Sequence, residues 1–358
     1  MRPTDLFRPS RIHFPALALS LVLVLSFSAS AQVKAVAPSA GMWSAGDGFA
    51  FKNKAKKTRQ SLSGVACAPN AQGQRICLMA FDEGVTMQFA ELLTDGANAL
   101  RPLDQPLVLG RAGDELDAEA AATDGAYFYV TGSHAVKRKD CAPNPASQHV
   151  LRFRRDAATG LAAQPPALQD VGRLAALVAA LPAFQPYAGT GHCLGTGALD
   201  IEGLAVRRGR LWFGLRGPTE PAEPGTAFIV SVDTEAFFGG GDAKARAYRV
   251  TLGPGRGLRD MVAVQDGILL LAGPDDAERN QAVPWLVLHW DDNAEGQALA
   301  TPRPLAQLDL AGVALRQCDK EIKPEAMTVL AQTPAAYRLL VLSDGLCDGG
   351  ALAFDIPR

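Results

Sequence analysis

The sequence predicts an all-β protein, a β-propeller of five blades. Two observations carry this expectation. One phrase recurs along the chain: an acidic residue, a small or apolar residue, a hydrophobic strand, a turn and a second strand. After most of these hairpins come two further strand-like runs, so four strands repeat at a spacing of about 50 to 80 residues. The clearest copy is Asp200-Ile201-Glu202-Gly203-Leu204-Ala205-Val206, a turn at Arg207-Arg208-Gly209, then Arg210-Leu211-Trp212-Phe213-Gly214-Leu215-Arg216. Five hairpins are clear, and the count becomes six if a degenerate blade hides elsewhere.

Residues 1–31 stand outside this pattern. Arg2, Arg8 and Arg11 make a basic start, an apolar run follows from Phe14 to Phe27, and Ala29-Ser30-Ala31 supplies a small-residue cleavage site. This reads as a secretory signal peptide, placing the cleaved chain in the periplasm or outside the cell. The apolar run is short for a span of about 20 residues, and no later stretch is long enough, so no membrane span is expected after cleavage. Residues 32–62 form an N-terminal segment. Within it, Lys52, Lys54, Lys56, Lys57 and Arg59 read as a solvated entry or a contact for an anionic surface.

The propeller proper covers residues 63–358. Hairpin one joins Ser63-Gly64-Val65-Ala66-Cys67 to a run from Arg75 to Asp82. Hairpin two joins the run from Asp117 to Ala122, through Asp124-Gly125, to Tyr127–His134. Hairpin four joins Arg259-Asp260-Met261-Val262-Ala263-Val264, through Asp266-Gly267, to a run ending at Pro274. Hairpin five joins the run from Lys323 to Leu330 to one from Tyr337 to Gly345. Asp-Gly between apolar runs is a strong hairpin signal, because Gly takes positive φ without steric cost. The runs are continuously apolar, as in strands buried on both faces. An Ala/Leu-rich stretch over residues 170–181, stopped by Pro182, predicts a short helix in an insertion at about 165–198, between blades two and three. Residues 351–356 can give the fifth unit only a third strand, so a strand from residues 33–54 is expected to complete that blade and leave no open edge.

Six cysteines in an exported chain argue for disulfides. Spacing alone allows 15 pairings. The strand layout leaves the connectivity open and favours Cys67–Cys77 across the first hairpin, Cys141–Cys193 around the helical insertion, and Cys318–Cys347 around the fifth hairpin. Removing residues 1–31 takes away three Arg and one Asp, leaving a net charge near −4. That balance gives no footprint for nucleic acid.

In a propeller the first strand of each blade lines the channel. Glu119, Glu202, Asp260 and Glu325 start such strands and are expected to ring one mouth. The second strands return His134, Arg216, Asp276 and Asp344 to the same face. Like charges this close need an answer. A Ca²⁺ or other divalent cation could sit among the four acids; Arg216, Arg259, Lys323 or His134 could neutralise them; or they could accept backbone N–H groups and stitch the blades.

The phrases Asp200-Ile201-Glu202-Gly203-Leu204-Ala205, Leu215-Arg216-Gly217-Pro218, Ser63-Gly64-Val65-Ala66-Cys67 and Gly132-Ser133-His134 resemble the bacterial family called domain of unknown function 3616. That resemblance covers most of the chain from Lys54 onward and implies a propeller. The D-x-E-G start is also similar, more loosely, to the esterase-like phytase family, which implies metal-assisted ester or phosphoester hydrolysis. Only Asp200, Glu202 and Gly203 match its pattern, since Ala120, Ala326 and Met261 stand where Gly would. No G-x-S-x-G, H-E-x-x-H or Walker A motif is present. Two functions stay open. One is a non-catalytic propeller binding a small anionic ligand or an envelope protein at its acidic mouth. The other is a metal-assisted hydrolase of phosphoesters, esters or lactones, with His134 moving protons, Glu202 in the acidic ring and Arg216 orienting the anion.

Overall fold

The computed structural model describes residues 33–358 apart from 97, 111–114, 188–190, 220–222 and 293–298. The expected signal peptide lies outside the described residues. Strand β1 (Ala35–Val36) and helix α1 (Ala55–Arg59) precede the repeat. Blade one is β2 (Leu62–Pro69), β3 (Arg75–Phe81), β4 (Thr86–Leu93) and β5 (Ala99–Val108). Blade two is β6 (Ala118–Thr123), β7 (Tyr127–Gly132), β8 (Val150–Arg154) and β9 (Gln169–Val171), followed by α2 (Leu174–Ala179). Blade three is β10 (Asp200–Arg207), β11 (Arg210–Gly217), β12 (Thr226–Asp233) and β13 (Arg246–Thr251), with α3 (Thr234–Phe238) after β12. Blade four is β14 (Arg256–Val264), β15 (Gly267–Pro274), β16 (Leu286–Trp290) and β17 (Arg303–Leu308). Blade five is β18 (Lys323–Gln332), β19 (Ala336–Asp344) and β20 (Leu352–Pro357).

Every blade is an antiparallel meander, and the fold is the five-bladed propeller the repeat predicts. The first strands close the ring: β2 packs on β6, β6 on β10, β10 on β14, β14 on β18, and β18 on β2. Local chemistry builds each hairpin. Arg208 and Gly209 both take positive φ, at 51° and 70°, as a two-residue turn matching the strand twist requires. Each interface between neighbouring blades carries its own apolar cluster, such as Leu78, Phe89, Phe128 and Phe153 between blades one and two. Burying a side chain of this size contributes about 1.5–3 kcal/mol, so the ring is held at its interfaces.

Two expectations about the chain's course change. The predicted helix over 170–181 begins only at Leu174, because Gln169–Val171 pairs with β8 as the outer strand of blade two. The N-terminal segment, expected to supply the missing strand of blade five, pairs instead in parallel with β17 of blade four through Ala35 and Val36. It then runs beside β20, where Ser39 N donates to Ala353 O at 2.8 Å and Trp43 N to Ala351 O at 2.9 Å. Leu100 N of blade one donates to Ser44 O at 2.8 Å. The segment thus laces blades four, five and one without forming a fourth strand on β20.

The three disulfides are those the layout favoured: Cys67–Cys77, Cys141–Cys193 and Cys318–Cys347. They fit an oxidising compartment. Among the described residues no helix is long and apolar enough to cross a membrane.

Candidate functional site

Each first strand carries a β-bulge near its start, and the bulge defines the site. On β2 the register jumps from Leu62 to Gly64, leaving Ser63 without a cross-strand partner. The same jump isolates Glu119 on β6, Glu202 on β10, Arg259 on β14 and Glu325 on β18. A bulge inserts one residue and re-aims its side chain. The five equivalent positions are therefore Ser63, Glu119, Glu202, Arg259 and Glu325.

Their side chains meet from blade to blade around one mouth of the channel. Ser63 Oγ donates to Glu325 Oε2 at 3.3 Å. Arg259 Nη2 donates to Glu325 Oε1, and Arg259 Nε lies 2.6 Å from Glu202 Oε2. Arg216 Nη1 donates to Glu202 Oε1 at 2.9 Å, and its Nε lies 3.3 Å from Asp276 Oδ1. The chain of contacts then stops, because Glu119 makes no hydrogen bond or ion pair with another described residue. The ring is closed from blade three round to blade one and open at blade two.

Above the ring lies a cavity of about 850 Å³, lined by residues of all five blades, among them Asp82, Asp117, Glu119, Asp200 and Asp344. Burial raises the Asp82 carboxyl to about 7, with the Asp344 and Asp117 carboxylates adding to the rise and the Ser61 hydroxyl and Lys57 opposing it. Glu119 is raised well above the ordinary carboxyl range by burial, then by Asp117, Glu202, Asp82 and Glu325. Asp200 is raised likewise, by burial and then by Asp276 and Glu202. Burial pushes Glu325 up to about 8, while the Arg259 guanidinium pulls it down. Burial favours the neutral form of Arg216, yet its carboxylate neighbours Glu202, Asp276 and Asp200 outweigh this and raise it.

The expected residues fare differently. Glu119, Glu202, Glu325 and Arg216 all line the cavity. Asp260 does not belong to the ring. It sits one residue beyond the bulge, paired in register with Leu271. Its Oδ1 accepts the amide of Met261 at 2.7 Å, and its Oδ2 accepts that of Met327 at 2.6 Å. Asp260 thus stitches blade four to blade five, and Arg259 occupies the ring position. The four acids do not form a metal ring, since Arg259 lies between Glu202 and Glu325 and two amides occupy Asp260. Among the described residues, no three His, Cys, Asp or Glu side chains group as ligands of one ion. The residues present therefore do not fit the metal that the phytase-like resemblance implies.

His134 does not reach the cavity. Its ring is 3% exposed with neither nitrogen hydrogen-bonded, and burial lowers its pKa to about 3. The neutral ring is favoured, and His134 is not part of the cavity wall that Glu119 lines. Sequence reading left two members out of the ring, Ser63 and Arg259. A signal was present, because Gly64, Ala120, Gly203 and Ala326 follow four of the ring positions, and only in blade four does a larger residue follow.

Five closed blades around a charged mouth define a β-propeller with a polar channel-mouth site. The chain belongs to the family described as Protein of unknown function (DUF3616), whose model matches residues 67–166 and 195–349. No curated protein matches it. Among solved structures it is similar to an exo-β-1,3-galactanase from Phanerochaete chrysosporium, at 10% identity over 89% of this chain with a TM-score of 0.45. The chain spans 64% of that galactanase's length. An α-L-arabinofuranosidase from Lactobacillus brevis matches at 13% identity over 83% of this chain and 90% of that one, with a TM-score of 0.45. PhoX from Pseudomonas fluorescens, in complex with vanadate, matches at 15% identity over 63% of this chain and 50% of its own, with a TM-score of 0.36. At this level of overlay neither activity nor site residues carry over.

Proposed function

We propose that this exported propeller is a binding protein whose small polar ligand seats in the cavity at the channel mouth. The observation that carries this reading is the ring itself: five equivalent bulge residues, one from each blade, converge there, and one of them, Glu119, has no partner among the described residues. A stitch serving the fold alone would leave no such acid idle, because a polar group held from water without a hydrogen bond costs about 1–3 kcal/mol. The disulfides support a periplasmic or secreted setting. An envelope protein as partner would have to present a polar side chain to the same mouth.

Hydrolysis is the second reading, favoured by one observation. Burial raises the Glu119 and Asp200 carboxyls and so favours their protonated forms, and Glu202 lies between two guanidinium groups beside them. A protonated acid near a carboxylate is the minimum set for acid/base work. Native mass spectrometry of protein purified from an envelope extract tests the first reading. A small molecule carried by the wild type and absent from Glu119→Gln supports binding at the mouth. An ester, lactone and phosphoester screen, with and without chelator, tests the second. Turnover that disappears in Glu202→Gln makes the protein an enzyme, and its absence across the screen removes that reading.

A further inference from the structure

The mouth is electrostatically lopsided, and the asymmetry names the chemistry of its ligand. From blade three round to blade five every cationic group in the cavity wall is already matched. Arg216 holds Glu202 and Asp276, Arg259 holds Glu202 and Glu325, and Lys323 holds Asp344 at 3.3 Å and Glu321 at 2.8 Å. From blade one to blade two the wall carries Asp82, Asp117 and Glu119, and no basic side chain of a described residue contacts any of them. Asp117 has only the Ser133 hydroxyl, and Asp82 Oδ1 is fully buried without a hydrogen-bond partner. The basic residues on this side are Lys137, Arg138 and Lys139, which line the cavity after β7, and Lys57, which acts on Asp82. Lys57 is bound to Glu83, and Lys137, Arg138 and Lys139 are exposed at the rim, so none of them neutralises the arc by direct contact.

We infer that the ligand recognised at this mouth carries an organic cation, an ammonium or guanidinium group, which seats against Glu119, Asp82 and Asp117 and closes the ring at blade two. The inference rests on the binding reading above and specifies its ligand class. An anionic ligand would find both buried guanidinium groups taken; beyond the exposed Lys137, Arg138 and Lys139 at the rim it would face the unmatched acids. A metal ion is too small, because its oxygen ligands must lie within about 2.3–2.6 Å of one centre, and no three acids of the described residues are grouped so closely. An organic cation is larger and directs several N–H donors to separate carboxylates. It also supplies the charge that Arg259 supplies on the other side of the ring. Burial and mutual repulsion favour the protonated acids, so seating a cation expels protons and drives the carboxyls toward their ionised form.

The test is calorimetric titration of the purified, disulfide-bonded protein with putrescine, agmatine and spermidine, with glucose, glucose 6-phosphate and calcium chloride as contrasting probes. Each is run at pH 6 and pH 8 in two buffers of different ionisation enthalpy. Binding of at least one amine is expected, about tenfold tighter at pH 8 than at pH 6 and with proton release. A loss of about tenfold or more is expected in Glu119→Gln and in Asp82→Asn. Both variants relieve repulsion between acids, so their melting temperatures should equal or exceed the wild type, which shows that lost binding is not lost folding. Amine binding that survives both substitutions, or that is independent of pH, overturns the inference. Glucose, phosphate or calcium binding that depends on Glu119 while no amine binds overturns the cation class and leaves the mouth as the ligand site. Absence of binding by every probe overturns the inference and counts against the binding reading together.

Discussion

At the scale of single residues, Arg259 and Asp260 show how adjacent positions divide two tasks. Arg259 is 3% exposed and neutralises two carboxylates from neighbouring blades. Removing one partner of a buried ionic group leaves uncompensated charge, at a cost of about 3–5 kcal/mol. Arg259→Met is therefore expected to lose about that much in urea unfolding at pH 7. Combining it with Glu202→Gln and Glu325→Gln should restore most of the loss, because the buried charges leave together. Asp260→Ala strands the amides of Met261 and Met327 and should cost about 1–3 kcal/mol. In amine titrations it should leave binding unchanged, which separates a stitch from a ligand contact.

At the scale of elements, the first strands touch so closely that their small residues are required. A Cβ on Gly64 would lie 2.8 Å from the backbone of Ala120 on the next blade. Gly64→Ala is expected to destabilise the protein by about 1–3 kcal/mol, because backbone must shift to admit the methyl group. The N-terminal segment works at the outer edges in the way the first strands work at the axis. Trp43 is 2% exposed within the cluster joining blades five and one. Trp43→Ala should cost about 3–5 kcal/mol. Hydrogen exchange should show the loss as faster opening of β20 and β5, the strands beside the segment, with β12 of blade three protected as before.

For the whole molecule the acidic arc makes stability fall with rising pH. In the unfolded chain Asp82 titrates near 3.8, and in the fold burial raises it to about 7. Below about pH 4 both states hold the proton and this group takes nothing from stability. Between about pH 4 and 7 the unfolded state ionises first, so stability declines across that window and levels off above it. Thermal unfolding of the wild type minus that of Asp82→Asn should isolate this slope, with the variant gaining most at pH 7 and above. A saturating amine should reverse the trend, because it binds the ionised arc of the folded state.

Much of the fold was legible because its signals are local. The Asp-Gly turns, the paired apolar runs and the positions of Cys67 and Cys77 on facing strands depend on residues close in sequence. The site was legible in outline and misread in detail. Asp260 looked like Glu202 because both precede an apolar run, yet a bulge shifts the register by one and gives Arg259 the ring position. His134 looked like part of the mouth because it ends a second strand, yet a backbone turn with φ of 55° accompanies its ring's burial away from the cavity. The outer strand of blade two hid at the start of an Ala/Leu-rich stretch, where pairing with β8 outweighed helical composition.

By itself, the sequence determined a β-propeller of local hairpins, with five blades against six left open and three local disulfides as the preferred pairing, since hairpins and short loops are set by neighbouring residues. Only the tertiary structure decided which residues form the ring, which carboxylates find a guanidinium, and that Glu119 finds none among the described residues. Those outcomes depend on bulge register and on contacts between blades far apart in the chain, and no local pattern specifies either.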